Sequence, residues 1–157
     1  NKRNLKINQD LSFKEETGKR NDRRYELFKI YCKTRHNESQ MAHMSKEEFE
    51  SFFYNKFNKT KIYDIFDSSE HLIGSILMDI FIDGYSAVYS FFDPGFNKRG
   101  LGKYLIIKSI QELKLQNIPY LYLGFWVKNS KKMDYKINFN NTELFVNGEW
   151  KEKTKFY

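Results

Sequence analysis

The sequence predicts a single α/β (α+β) domain, built on a mixed, mostly antiparallel sheet that is flanked by helices. The chain has 157 residues, of which 40% are hydrophobic and 18% aromatic, so it is the size of one domain and can bury a core. Apolar positions recur at helical spacing across residues 101–116, between strand-like segments at 85–92 and 119–127. Two hairpin signals, Asp83-Gly84 and Asn147-Gly148, exclude a purely parallel sheet.

The N-terminal segment at 1–21 is polar and mixed. We expect it to form a connecting arm that precedes a domain at 22–157. Asp22 is placed to cap a first helix, which is predicted to end near Arg35-His36.

A second helix is predicted to begin at Ser45, because Ser45 and Glu48 have the spacing of a capping box. Its phenylalanines recur at helical spacing, which favours core packing over stacking on a cofactor; they are Phe49, Phe52, Phe53 and Phe57. Segments 62–66 and 72–82 are predicted to be strands, and the second leads into the hairpin at Asp83-Gly84.

The basic charge of the chain favours an anionic partner. Its formal net charge is +7 and its pI is about 9.3, which makes nucleic acid the leading candidate. The charge is explained equally well by a proteome rich in Lys and Asn, in which a basic surface does not indicate an anionic partner.

Cys32 is the only cysteine, which excludes an internal disulfide framework and fits a reducing, cytoplasmic compartment. No apolar run is long enough to cross a bilayer and no signal peptide is visible, so we expect no membrane partner. No group of His, Cys, Asp and Glu has the spacing of metal ligands. We therefore predict neither a bound metal nor a cofactor.

The loop Asn97–Gly102 is the predicted functional centre. It stands between a strand and a helix, where glycines let a ligand approach the free N–H groups and the positive dipole end of the helix. It resembles the pyrophosphate loop of acetyltransferase-like (GNAT) folds, which usually begins with Gln or Arg and here begins with Asn97. In the alternative interpretation, Gly100 and Gly102 serve only the tight turn.

Longer motifs resemble those of one family over nearly the whole chain. The motifs are SAVYSFFDP at 86–94, RGLGKY at 99–104, PYLYLGFW at 119–126, KKMDYK at 131–136 and GEW at 148–150. This family is that of the aminoacyl-tRNA–protein transferases, in particular the bacterial aspartate/glutamate leucyltransferases, to which the arginyl-tRNA–protein transferases are related. The resemblance implies a GNAT-like fold.

The chain departs from the family pattern in three places. The family loop usually reads Arg-Ser-Leu-Gly, whereas Gly100 stands here in place of the Ser. The family tends to carry a Pro where this chain has residues 140–142. Family members also carry a cysteine-bearing segment before the region of Arg3; the chain begins with Asn1 rather than Met, and the resemblance leaves open the activity of the chain without such a segment.

The resemblance implies transfer of an amino acid, leucine by expectation, from its tRNA ester to a protein that begins with Asp or Glu. The product N-terminus marks that protein for degradation. The ester is already activated, and an α-amine with a pKa of about 7.7–8.0 is partly neutral near pH 7. Positioning of the two reactants contributes roughly 7–11 kcal/mol, so a strong general base is not required.

The resemblance and the predicted cleft assign roles to side chains. The tRNA 3′ end and its aminoacyl group are assigned to the loop and to nearby aromatic residues, with Arg99 exposed and prominent: Asn97, Lys98, Arg99, Gly100, Gly102, Phe91, Tyr122 and Trp126. Asp93, together with Tyr89, is the catalytic candidate that orients the attacking amine. Acceptor binding is assigned to Lys132, Tyr135 and Lys136.

Each assignment has a structural alternative. The loop can be a solvated turn, Asp93-Pro94 is ordinary turn chemistry, and the lysines can form a solvated face. About half of the aromatic residues are expected in the core, because alternate residues of a strand face opposite sides of a sheet.

Three other functions stay open from the sequence. They are arginyl transfer from arginyl-tRNA, acetyl transfer from acetyl-CoA by a GNAT enzyme, and RNA binding by a non-catalytic fragment. The oligomeric state is not predicted.

Overall fold

A computed structural model describes residues 1–54, 59–130 and 133–155 of the chain. The helices are α1 Lys2–Ile7, α2 Asp22–Arg35, α3 Lys46–Phe53 and α4 Leu101–Leu115. The strands are β1 Ser12–Glu15, β2 Thr60–Phe66, β3 Leu72–Ile80, β4 Gly84–Phe92, β5 Tyr120–Tyr122, β6 Glu143–Val146 and β7 Glu149–Glu152. Four 3-10 turns lie at Gln40–His43, Pro94–Arg99, Asp134–Asn138 and Lys153–Lys155.

The main sheet has the strand order β1-β2-β3-β4-β5. All neighbouring pairs are antiparallel except β4 and β5, which are parallel. β6 and β7 form a separate hairpin around Asn147-Gly148. The predicted mixed, mostly antiparallel sheet is confirmed.

Residues 1–21, expected to form a connecting arm, instead contribute α1 and the edge strand β1. The register of β1 on β2 runs from Ser12 opposite Phe66 to Glu15 opposite Tyr63. The Phe13 ring stacks on Tyr63, with 4.9 Å between ring centroids. This segment is therefore part of the sheet, and cross-strand pairing holds it in place.

The caps of α2 and α3 show one correction and one confirmation. The side chain of Asn21, not that of Asp22, caps α2 by accepting a hydrogen bond from the N–H of Arg23. The predicted capping box of α3 is confirmed, because Ser45 and Glu48 each accept the backbone N–H of the other. Phe57, which was predicted to continue the apolar face of α3, lies outside the described residues.

Each face of the sheet carries its own core. One packs against α4 and includes Ile76, Met78, Leu101 and Leu105. The other packs against α2 and α3 and is dominated by the rings of Phe28, Phe49, Phe53 and Phe91. No helix in the described part of the chain is both long and apolar enough to span a membrane.

The predicted strand at 119–127 is wrong beyond residue 122. Only Tyr120–Tyr122 pairs with β4, opposite Gly84–Ser86. Gly124 follows with φ +72°, a left-handed conformation that ends the extended backbone. The chain therefore leaves the sheet early, and β4 continues to Phe92 without β5.

A buried ion pair joins α2 to the centre of the sheet. The guanidinium of Arg24 donates to both carboxylate oxygens of Asp64 on β2, and both side chains are fully buried. Ser75 on β3 also donates a hydrogen bond to Asp64 at 2.7 Å, and Arg24 donates to the hydroxyl of Tyr54 at 2.9 Å. The pair thus links α2, β2 and β3.

Asp64→Ala should lower the free energy of unfolding by about 3–5 kcal/mol, because it leaves a buried guanidinium without its counter-charge. Urea denaturation followed by circular dichroism measures the change. Glu149→Ala is the matched control, because it breaks an exposed pair with Lys151 and should change the stability little. Equal midpoints for the two variants would show that the buried pair is not a determinant of stability.

Candidate functional site

The main sheet opens between β4 and β5, beside the N-terminus of α4. β4 pairs with β5 only over Gly84–Ser86, so its residues 87–92 have no ladder partner on β5. Val88 is an extra residue in the pairing of β4 with β3 and forms a bulge with an exposed side chain. Bulges of this kind bend a strand and redirect its side chains. An open hollow of about 450 Å³ lies by the 3-10 turn Asp134–Asn138, and no residue of the loop at 97–102 lines it.

The loop places the first turn of α4 next to this opening. Gly100 caps the helix in a left-handed conformation with φ +62°, and no side chain caps α4. The first helical hydrogen bond runs from the N–H of Tyr104 to the carbonyl of Gly100 at 3.0 Å. The preceding N–H groups, those of residues 101–103, therefore have no acceptor within the helix, and the helix dipole favours an anion there.

Gly102 is closely packed. A Cβ atom at this position would lie 3.0 Å from the ring of Phe92 at the end of β4. Phe92 in turn contacts the C-terminal part of α2, where Tyr31 packs edge-on against it and the Arg35 guanidinium lies 5.0 Å from its ring centroid. The end of α2, the end of β4 and the start of α4 therefore meet at the opening.

Arg99 is engaged within the protein, which corrects the expectation of an exposed side chain that contacts RNA. Its Nε donates to the Asn8 Oδ1 at 2.9 Å, and one Nη donates to the carbonyl of Ile7 at 2.9 Å. Both Nη groups donate to the carboxylate of Asp10. Hydrogen bonding by Arg99 lowers the pKa of Asp10. All acceptors of the guanidinium thus lie in the N-terminal segment.

Side chains of the N-terminal segment also hold the loop backbone. The Asn4 amide donates to the carbonyls of Arg99 at 3.1 Å and Gly100 at 3.2 Å. Asn8, which is fully buried, donates to the carbonyls of Arg99 at 3.0 Å and Asn4 at 2.9 Å. We call the set Asn4, Asn8, Asp10 and Arg99 the Arg99 clamp.

Sequence reasoning missed three members of the clamp: Asn4, Asn8 and Asp10. The only signal was the spacing of Asn4 and Asn8, which puts both amides on one side of a helix. Nothing local indicates a partner 90 residues away, so the contact belongs to the tertiary structure.

The remaining predicted loop residues and Asp93 lie at the opening. Asn97 and Lys98 are exposed in the 3-10 turn that precedes α4. Asp93 caps that turn, where its Oδ1 accepts the N–H of Gly95 at 2.8 Å. This is the turn chemistry of the alternative interpretation, and a role of Asp93 in orienting the amine stays a prediction.

Phe91 differs from its predicted role, whereas the catalytic role of Tyr89 stays a prediction. Phe91 is fully buried and packs edge-on against Phe28 at 5.7 Å, so it is withdrawn as a stacking residue. Tyr89 is partly buried, and its hydroxyl lies 3.6 Å from the Cys32 Sγ. Burial raises the pKa of Tyr89 far above its ordinary value, so its hydroxyl is neutral at physiological pH and serves only in hydrogen bonding.

Tyr122 and Trp126 lie on either side of the point where the chain leaves the sheet. The Tyr122 hydroxyl donates to Asp83 at 2.8 Å, and its ring lies 5.9 Å from that of Trp150 on β7. Trp126 is partly buried, whereas its neighbour Phe125 is 91% exposed. Aromatic area is therefore accessible on the β5 side of the opening.

Of the predicted acceptor-binding residues, the structure describes Tyr135 and Lys136, and Lys136 is engaged within the protein. Lys136 donates to the carbonyl of Phe125 at 2.8 Å, and burial lowers its pKa. It thus holds the segment that follows β5 and is withdrawn as a free contact. Tyr135 is exposed, and Lys132 lies outside the described residues.

A metal ligand set does not appear in the parts of the chain that the structure describes. No group of three or more His, Cys, Asp or Glu side chains comes together there.

Arg99→Ala should lower the free energy of unfolding by about 2–3 kcal/mol, because it removes charge-assisted hydrogen bonds and leaves buried Asn8 atoms without a partner. Lys98→Ala, at the exposed neighbouring position, is the control and should unfold like the wild type. Arg99→Lys should recover only part of the loss, since an ammonium cannot replace the planar fork. Urea unfolding measures all three, and an Arg99→Ala midpoint equal to that of Lys98→Ala would contradict a stabilising clamp.

Comparisons with known proteins place this chain in a family. A sequence model described as "Arginine-tRNA-protein transferase, C terminus" matches residues 23–146. The chain is 40% identical over 149 residues to the aspartate/glutamate leucyltransferase of Nitrosococcus oceani, which covers 95% of this chain and 63% of the relative. It is 33% identical over 149 residues to that of Teredinibacter turnerae, covering 95% of this chain and 61% of the relative. The chain thus spans less than two thirds of the length of these relatives.

Solved structures show the same fold at low sequence identity. A GNAT-family acetyltransferase from Staphylococcus aureus superposes with a TM-score of 0.59 at 19% identity, covering 85% of this chain and 84% of that one. The ribosomal-protein-S18-alanine N-acetyltransferase of Escherichia coli gives a TM-score of 0.60 at 13% identity, covering 85% and 79%. The predicted GNAT-like fold and the resemblance to aminoacyl-tRNA–protein transferases are confirmed. The chain belongs to the arginine-tRNA-protein transferase family and matches the C-terminal part of that family.

Proposed function

We propose that this chain transfers leucine from leucyl-tRNA to proteins whose N-terminal residue is Asp or Glu, which marks them for degradation. The observation that carries the proposal is the open sheet beside the uncapped N-terminus of α4, in a chain with 40% identity to an aspartate/glutamate leucyltransferase. Because the donor would be a charged tRNA, we place the activity in the cytoplasm.

The α4 N-terminus would bind a phosphate near the 3′ end of the tRNA. The N–H groups of the first turn and the helix dipole attract an anion without a dedicated base or metal. Exposed Asn97 and Lys98 in the same loop add a hydrogen-bonding amide and a positive charge. This arrangement holds the terminal nucleotide while its ester reaches the gap between β4 and β5.

The gap would receive the aminoacyl group and the terminal base. The rings of Tyr122 and Trp126 flank the end of β5, where base stacking on an aromatic ring contributes about 1–3 kcal/mol. The backbone of β4 beyond Ser86 has no β5 partner, so those of its N–H groups that do not pair with β3 can hydrogen-bond the developing oxyanion or the incoming peptide. Neutral Tyr89 can only donate or accept a hydrogen bond in this step.

The acidic N-terminal side chain of the acceptor requires a cation at the opening. Arg35 is exposed at the end of α2, and its guanidinium is held over the Phe92 ring at 5.0 Å. It is better placed for this role than Lys136, whose ammonium is used by the Phe125 carbonyl. Lys132 stays a prediction.

The direct test is transfer of label from radiolabelled leucyl-tRNA or arginyl-tRNA to peptides that begin with Asp, Glu or Ala. Leucine label on the two acidic peptides alone is the expected result. Arginine label instead would assign the other branch of the family. No label from either tRNA with a folded chain, or acetylation of the peptides by acetyl-CoA, would refute the proposal.

Lys103→Glu tests the anion site at α4. A carboxylate in the first turn suits the helix dipole, so stability should not fall, but it repels a phosphate and should raise the KM for leucyl-tRNA about tenfold. The matched control, Lys114→Glu, makes the same charge change in the last turn of α4, about 16 Å away along the helix axis. It should leave this KM unchanged. Equal KM values for the two variants would remove the helix N-terminus from the site.

A further inference from the structure

The outward face of α1 carries three basic side chains. Asn4 and Asn8 point to the loop and Leu5 packs against the core, so this side of the helix faces the protein. Lys2 and Lys6 are four residues apart, and Arg3 is three residues before Lys6, which places all three on the opposite side. All three are exposed.

This face has no acidic neighbour on its own helix. The sequence of α1 is KRNLKI, and the structure shows no ion pair for Lys2, Arg3 or Lys6 with another described residue. Asp10, the nearest acid along the chain, is already neutralised by Arg99. The positive charge of the face is therefore uncompensated locally.

The Arg99 clamp fixes this face relative to the functional loop. A helix of six residues is not stable alone, and here the amides of Asn4 and Asn8 tie it to the carbonyls of Arg99 and Gly100. The Arg99 guanidinium binds the carbonyl of Ile7 at its C-terminal end. Exposed Lys98 adjoins the clamp, so four cations lie at α1 and the start of the α4 loop.

We propose that the outward face of α1, formed by Lys2, Arg3 and Lys6, binds backbone phosphates of the RNA whose acylated end lies at α4. The inference rests on the proposed function of that site. Lys2 and Lys6 are separated by about 6 Å along the helix axis, and duplex nucleic acid carries about one charge per 1.7 Å. The face can therefore contact two or three phosphates and set the direction of the acceptor arm.

The test measures binding of uncharged leucine tRNA by fluorescence anisotropy between 50 and 300 mM KCl. The variant is Lys2→Gln/Arg3→Gln/Lys6→Gln, and the charge-matched control is Arg23→Gln/Lys59→Gln/Lys114→Gln, whose positions are exposed. Each lost phosphate contact should reduce the slope of log affinity against log salt by about 0.9. We expect the α1 variant to lose two to three phosphate contacts by this measure, and at least tenfold in affinity at 150 mM KCl. The control should lose less than one contact.

Slopes and affinities that match between the α1 variant and the control would overturn the inference. Arg99→Ala gives a second check, because it releases α1 without removing any of its three charges; affinity should fall, whereas an unchanged affinity would show that the fixed position is irrelevant. The two proposals fail separately. If tRNA binds through α1 but no transfer occurs, only the proposed function is refuted. If transfer occurs but does not depend on the α1 charges, only this inference is refuted.

Discussion

The Arg99 clamp is the interaction on which the candidate site depends. It joins residues 4–10 to residues 99–100, which are far apart in the sequence. The constraint acts in both directions: Arg99 holds a helix too short to be stable alone, and the amides of that helix satisfy the carbonyls at the turn into α4. The same contacts fix the position of the turn that leads into α4.

The opening of the sheet has an equally specific origin. A left-handed residue at Gly124 ends the pairing of β5 with β4 after three residues. Lys136 then donates to the carbonyl of Phe125 and keeps the segment after β5 in place, and burial lowers the pKa of its ammonium. Lys136, which the motif predicts to contact a ligand, thus holds the segment that borders the opening.

Regular elements could be predicted from the sequence where local rules and tertiary packing agree. The helix at 101–116 and the strand at 85–92 lie within one residue of the observed α4 and β4, since periodicity and burial specify the same face in both. The strand at 119–127 was too long because its apolar run continues past Gly124 and hides the backbone break. An apolar run reports burial, not the point at which a strand ends.

The site residues show where sequence reasoning stops. Alternation separates Phe91 from Phe92 at the end of β4, but it does not say which face is covered; α2 and α3 cover the face of Phe91, which removes it from the site. A motif arginine beside a glycine loop looks the same whether it meets a ligand or the protein itself. Only the tertiary contact with Asn8 and Asp10 distinguishes the two, and those residues are remote in sequence.

The glycine that departs from the family loop follows from the same clamp. Gly100 is left-handed, and a Cβ atom there would lie 3.0 Å from the amide nitrogen of Asn4. A side chain at this position would therefore be strained in its backbone and would also displace the Asn4 amide that binds the carbonyls of the loop. In this chain Gly100 lets the Asn4 side chain approach the loop closely enough for its amide to bind the loop carbonyls. Gly100 is thus tied to the position of α1, the helix that carries Lys2, Arg3 and Lys6.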